Sequence, residues 1–270
     1  FQYLSNGNSV TPSLSGDANS SSLSSLFGRL DYQYDQRYLA SFTARRDGSS
    51  RLDPDNRWGN FYAGSIGWRI DREAFMQNVR PVSLMKLRAS LGQLGNQEIP
   101  IYGYASLLGP IGYYPFNGVA APAYTIYKKG NPYVKWETST IADIGMDLGF
   151  FNGALTITAD YYRKITTNLL VKRPNPTSAG SVAEAAFENN GKVLNRGFEF
   201  EASYQKQINR DWHFEVGGNL TTIHNEVLEL LDDQPLAGGQ LGNGGVFITS
   251  TAVGHPIGSF YLLEQEGVFQ

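Results

Sequence analysis

Residues 137–164, ETSTIADIGMDLGFFNGALTITADYYRK, alternate in character every two residues along both arms. On the first arm Thr138, Thr140, Ala142, Ile144, Met146 and Leu148 share one face. Ser139, Asp143, Gly145 and Asp147 share the other, with Ile141 as the exception. After Phe150-Phe151-Asn152-Gly153, the residues Leu155, Ile157, Ala159 and Tyr161 alternate with Thr156, Thr158, Asp160, Tyr162 and Lys164. Successive strand residues point to opposite sides, so the pattern predicts an antiparallel hairpin. It closes at Asn-Gly, two residues that tolerate positive φ. Ordinary strands have about 5–6 residues, whereas a membrane-crossing strand needs roughly 9–11, and both arms reach that longer class. The first question is therefore whether the apolar face meets a protein core or lipid.

The same alternation recurs on both sides of this hairpin. Leu30, Tyr32 and Tyr34 oppose Arg29, Asp31 and Gln33, and Tyr38, Ala40, Phe42 and Ala44 oppose Leu39, Ser41, Thr43 and Arg45. Further strands are predicted over 59–70, 84–94, 192–207 and from Trp212 to Thr221. A short helical turn is expected within DREAFMQNV, and the sequence as a whole reads as all-β. The connections run short (35–37), long (47–58), moderate (71–83), very long (95–136), short (150–153), long (167–190), short (208–211) and long from about 226. Alternate connections of an up-and-down sheet lie at opposite ends, so nearly all the loop mass gathers at one end. Outer-membrane barrels show that asymmetry, and a soluble sandwich with one solvated face can also produce it. The polar faces, with Glu199 beside Glu201, Asp143 beside Asp147 and Lys86 beside Arg88, suit a watery lumen better than a dry core. Tyr34, Tyr38, Phe150, Phe151 and Trp212 cluster at the short-turn rim, where barrels carry an aromatic girdle.

Composition removes several function classes. The chain has 270 residues, no cysteine and a formal net charge of −3, so thiol chemistry and a disulfide scaffold are out and nucleic acid is disfavoured. No run approaches the 18 apolar residues of a membrane helix, which leaves a barrel open. Residues 1–25 read as a polar loop, and the abrupt ends lead us to expect a piece of a longer polypeptide. His213, His224 and His255 lack ligand spacing, Asp53-Pro54-Asp55-Asn56 falls short of a calcium loop, and no nucleophile elbow or phosphate loop is present. No catalytic, cofactor or metal role is expected.

Several segments resemble one family in the family's own order: Arg46-Asp47-Gly48-Ser49-Ser50-Arg51 with Asn56-Arg57-Trp58-Gly59; Gly67-Trp68-Arg69-Ile70; Lys86-Leu87-Arg88-Ala89-Ser90 to Gly95-Asn96-Gln97; Asn131-Pro132 with Lys135-Trp136-Glu137-Thr138-Ser139; Asn189-Asn190-Gly191-Lys192-Val193 with Asn195-Arg196-Gly197-Phe198-Glu199; and Pro256-Ile257-Gly258-Ser259-Phe260-Tyr261 with residues 267–270. Together they resemble SusC/RagA-like TonB-dependent outer-membrane transporters of Bacteroidota. Leu262 and Glu266 depart from the family's common Gly and Asp.

The resemblance implies about eight consecutive strands (26–225) of a 22-stranded transmembrane β-barrel. Residues 226–270 then form a long extracellular loop region, and the plug and closing strands are absent from this chain. It also implies import of oligosaccharides or peptides with a SusD-like surface lipoprotein, energised by TonB through a missing N-terminal part. The alternative is a non-transport surface β-protein that binds glycans. On the barrel reading Phe42, Ala44, Leu87, Leu91, Ile144, Leu148, Leu155, Ile157, Phe198, Phe200, Phe214 and Val216 face lipid, and Asp143, Thr158 and Glu201 face the lumen or plug. Tyr113, Tyr114, Tyr124, Tyr127 and Trp58 are candidate cargo contacts, since an aromatic ring stacks on sugars or peptide side chains and tyrosine also offers a hydroxyl. Asp47, Arg51 and Arg57 are expected to pin the loop that follows the second strand.

Overall fold

The structure, a computed structural model, describes residues 18–172, 183, 185–241 and 246–262. Residues 267–270 and most of the 173–184 stretch lie outside the described part. Long strands dominate: β1 (Leu23–Tyr34), β2 (Tyr38–Ser49), β3 (Trp58–Arg69), β4 (Val82–Asn96), β5 (Leu107–Phe116), β6 (Val119–Lys128), β7 (Glu137–Phe150), β8 (Leu155–Thr167), β9 (Leu170–Lys172), β10 (Phe187–Asn189), β11 (Lys192–Gln207), β12 (His213–Glu229), β13 (Leu236–Leu241), β14 (Val246–Thr251) and β15 (Ser259–Phe260). Eight of them form one antiparallel sheet in the order β1-β2-β3-β4-β7-β8-β11-β12, which leaves β1 and β12 as open edges. Long, strictly alternating segments produce this arrangement because each next strand is reached by a connection at one end or the other, never by a crossover.

The turns follow from residue type. Asp35 and Gln36 both sit at positive φ between β1 and β2, and Phe151, Asn152 and Gly153 do so between β7 and β8, where Asn-Gly marked the turn. The connection 70–81 contains two 3₁₀ turns, Ile70–Arg72, which starts one residue before the expected helical stretch, and Ala74–Met76 inside it.

Parity holds across the whole sheet. Tyr32, Ala40, Ile66, Ala89, Ile144, Tyr161, Phe198 and Thr222 pair side by side in one row. The next row, Asp31, Ser41, Ser65, Ser90, Asp143, Tyr162, Gly197 and Ile223, belongs to the opposite face. All twelve residues expected on the apolar face share it. That face stays open: Ile144 is 61 % exposed and Leu91 58 %.

Packing concentrates elsewhere. Leu52, Phe61, Ile99, Val134 and Trp136 form a buried cluster at the long-connection end, and Val193, Val227 and Leu230 form a second. The expected loop boundaries shift accordingly. β2 continues through Ser49, so Asp47 and Gly48 are strand residues. β1 begins at Leu23, inside the segment read as a polar loop. The region 95–136, read as lacking a period, contains the β5–β6 hairpin, and the region from 226 holds the end of β12 and the three-stranded β13-β14-β15 sheet. Alternation failed to mark β5–β6 because Pro110, Pro115 and Pro122 interrupt it and both its faces are apolar.

At the short-turn end Glu73 ties three elements together. Its carboxylate accepts from Trp68 Nε1 (2.9 Å), Tyr38 Oη (2.8 Å) and Arg37 Nη1 (3.1 Å). The Trp68 and Tyr38 hydrogen bonds, then Arg37, hold its pKa below the ordinary glutamate value of 4.5. A depressed carboxylate contributes stability above the unfolded-state pKa and loses it as pH falls through the folded value. Acidifying the refolded protein below about pH 4.5 should therefore destabilise it, and Glu73→Gln should flatten that slope. Chemical denaturation at stepped pH measures the difference; equal slopes would remove Glu73 from the account.

Candidate functional site

Three arrangements stand where the strands and long connections could meet a ligand. The first lies on the polar face. Arg88 on β4 directs Nε at both Asp147 oxygens (3.1 and 3.0 Å) and Nη2 at Asp160 Oδ2 (2.9 Å), with Asp143 Oδ1 3.8 Å from Nη1. Lys86 Nζ is 3.9 Å from Asp147. Arg88, Gly145 and Asp160 share one row, so the two charged side chains meet above the glycine between them. A Cβ on Gly145 would stand 2.0 Å from Asp160 Oδ1 and 2.8 Å from Arg88 Cζ, so only glycine allows this closure. Charge-assisted hydrogen bonds of this kind are stronger than neutral ones and fix the side chains in place. Glu199 and Glu201 continue the same face, exposed. Among the described residues no group of three or more His, Cys, Asp or Glu side chains is placed to hold a metal ion.

The second arrangement is a collar at the base of the long connections. Glu137, the first residue of β7, accepts from Asn96 Nδ2 (3.2 Å) through one oxygen and from the Leu170 N–H (3.0 Å) through the other. Asn189 Oδ1 accepts from the Lys135 N–H (2.6 Å), while its Nδ2 donates to the carbonyls of Lys135 (2.8 Å) and Asn168 (2.9 Å). Trp136 packs edge-on against Phe61, with centroids 5.5 Å apart, and donates Nε1–H to the Arg57 carbonyl at 2.9 Å. Arg51 donates to Glu98 (3.2 Å) and to the Ile99 carbonyl (3.0 Å). Asn56 and Asn131 add bonds to the carbonyls of Pro132 (2.9 Å) and Phe187 (3.0 Å). Connections 50–57, 97–136 and 168–191 are thus fastened to one another just above the sheet.

Of the loop-pinning candidates, Asp47 is buried and accepts from Arg45 Nε at 2.8 and 2.7 Å, and Arg51 takes part in the collar. Arg57 contributes through its backbone, while its Nε is buried without a hydrogen-bond partner among the described residues. The sequence analysis missed Glu137 and Asn189, although both lie inside the quoted KWETS and NNGKV segments.

The third arrangement is the β5–β6 hairpin. Asn117 and Gly118 close it with both residues at positive φ, the geometry of a two-residue turn. The four tyrosine candidates all stand on it and divide between its faces. Tyr113 pairs with Pro122, and Tyr124 with Pro110, on one face. Tyr114 pairs with Ala121 on the other, which Tyr127 shares over Gly109. Tyr113 is 78 % exposed and Phe116 72 %. Trp58 does not join them. It pairs with Gly48 at the long-connection end of the sheet's apolar face, and the Arg46 guanidinium lies 4.9 Å from its ring centroid.

The family model described as TonB dependent receptor-like, beta-barrel matches residues 1–252. The chain belongs to that family. TonB-dependent receptor P3 of Formosa agariphila is 33 % identical over 271 residues, covering 98 % of this chain and 26 % of its own length. TonB-dependent receptor SusC of Bacteroides thetaiotaomicron is 34 % identical over 258 residues, covering 92 % and 26 %. Among solved structures, that of the RagAB peptide transporter superposes with a TM-score of 0.80 at 27 % identity, over 92 % of this chain and 26 % of the other. The chain therefore spans about a quarter of the length of these relatives. The open eight-stranded sheet is a segment of a family barrel wall, which accounts for two faces that the described residues leave uncovered.

Asn189→Ala should remove three hydrogen bonds and leave the Lys135 N–H without its acceptor, lowering stability by about 1–3 kcal/mol and speeding exchange of that amide. Tyr113→Ala on the exposed hairpin should change stability by no more than about 0.5 kcal/mol. Denaturant midpoints and hydrogen exchange of the refolded protein compare the two.

Proposed function

We propose that this chain is part of an importer that carries oligosaccharides or peptides across the outer membrane of a Bacteroidota-type Gram-negative bacterium, driven by TonB. The observation that carries the reading is the sheet with one apolar and one charged face, both uncovered, running over eight strands whose register shifts only near strand ends, at Val82/Leu84 and Lys192/Val193. An apolar face of that extent has a ready solvent in lipid, and the charged face in a water-filled or plugged lumen. Family membership and the likeness to SusC and the RagAB peptide transporter support the same reading. The edges β1 and β12 pair with strands outside this chain, since an open edge is not tolerated in hydrocarbon.

The long connections then lie outside the cell. The Tyr113–Tyr124 and Tyr114–Tyr127 faces of the hairpin offer rings and hydroxyls to cargo, and the collar holds that hairpin over the lumen. A SusD-like lipoprotein covers the same end, and the TonB complex engages an N-terminal part that precedes this segment. Trp58 and Tyr62 on the apolar face serve as interfacial aromatics.

Arginine substitution tests the orientation. In the full-length protein, arginine at Ile144, Ile157 or Phe200 should cost about 2–4 kcal/mol near mid-membrane. The loss of folding yield should change with the acyl length of the vesicles. Arginine at Asp143, Thr158 or Glu201 should stay near the parent. Six variants without any dependence on bilayer thickness would remove the membrane assignment and the import function with it.

A further inference from the structure

The apolar face changes character along one cross-strand row. Leu91 on β4 pairs with Ala142 on β7, which pairs with Arg163 on β8; Arg163 pairs with Arg196 on β11, and Arg196 with His224 on β12. Counting from the short-turn end on the same face, Leu155, Ile157, Ala159 and Tyr161 precede Arg163, and Tyr204, Ala202, Phe200 and Phe198 precede Arg196. On β12, Phe214, Val216, Gly218, Leu220 and Thr222 precede His224. The apolar run thus ends at one height on three neighbouring strands. Eight residues at about 3.3 Å each, on a strand tilted by roughly 40°, rise about 20 Å, close to the height of a barrel's apolar band.

Like charges placed directly opposite in a sheet repel. Arg163 and Arg196 are such a pair. Both are exposed, and neither has an ion pair or hydrogen-bond partner for its guanidinium among the described residues. Glu226, two residues beyond His224 on the same face, is held by His224 at 3.4 Å. The contrast is Arg46, which follows Tyr38, Ala40, Phe42 and Ala44 on β2 and is covered by the Trp58 ring.

We propose that Arg163 and Arg196, with His224 beside them, bind the phosphate of an outer-leaflet lipid whose acyl chains lie along Tyr161 and Phe198. The inference rests on the membrane reading above, which puts the long-connection end of the apolar face at the outer surface. A phosphate between the two guanidinium forks takes bidentate hydrogen bonds from each and cancels their repulsion. The apolar residues two rows closer to mid-membrane, the next on the same face, suit acyl chains, so the occupant has a phosphorylated head and a hydrocarbon tail.

The test uses the full-length protein inserted in vesicles of neutral lipid. A bis-phosphorylated glucosamine-disaccharide lipid, its dephosphorylated counterpart and inorganic phosphate are titrated separately, with bound lipid counted by native mass spectrometry after detergent extraction. The parent should bind the phosphorylated lipid about tenfold more tightly than Arg163→Gln/Arg196→Gln, with no difference for the dephosphorylated lipid. Arg163→Lys/Arg196→Lys should recover part of that loss, and each single glutamine variant should lie between, so the result does not depend on the double variant inserting. Equal affinity of parent and glutamine variants for the phosphorylated lipid would overturn the site. So would full competition by equimolar inorganic phosphate, which would reassign the arginines to a free anion. A parent that fails to insert would remove the membrane reading itself; a parent that inserts without preferring the phosphorylated lipid removes only this site.

Discussion

Cross-strand hydrogen bonding ties residues of equal parity into rows, and every row of the large sheet inherits its character from that register. Ile144 cannot leave the apolar face without Ala89, Tyr161 and Phe198 leaving with it, because each pairs with the next. A slip of one residue at β7, β8 or β11 would bring that strand's member of the Asp147–Thr158–Glu201 row to the other side and break the row. The two faces are therefore specified collectively, by eight strands at once.

A sheet open on both sides supplies no core along its length, and the buried clusters gather at its long-connection end. Leu52, Ile99 and Val134 are almost fully buried, yet none belongs to the eight-stranded sheet. They close over Phe61 and Trp136 where three long connections converge. The hydrogen bonds of Glu137 and Asn189 at that junction satisfy backbone groups that the sheet ladder no longer pairs. The opposite end is fastened more simply, with Glu73 gathering Trp68, Tyr38 and Arg37 onto one carboxylate.

Charge is arranged by the same logic. On the polar face Arg88 is matched by Asp147 and Asp160, so the charged side chains of that face are held in place. On the apolar face charged residues stand near the strand ends: Lys206 at the short-turn end, and towards the long-connection end Arg46, covered by an indole, and Arg163 and Arg196, which confront each other. The difference between the two faces is thus one of compensation as well as of polarity.

The alternation in residues 137–164 by itself determined the hairpin, its Asn-Gly turn and the membership of both faces, because period two is a local property of any strand. The alternation of short and long connections likewise determined which end carries the loop mass. Local pattern did not reach the β5–β6 hairpin, where prolines and two apolar faces erase the period, nor the extension of β2 through Asp47 to Ser49. It grouped Trp58 with the tyrosines, although register places that ring over Gly48 on the apolar face. The Arg88–Asp160 contact across Gly145 and the Glu137 and Asn189 bridges were decided only in the tertiary structure. Each joins residues more than twenty positions apart, and such meetings depend on strand order and register, which no single segment contains.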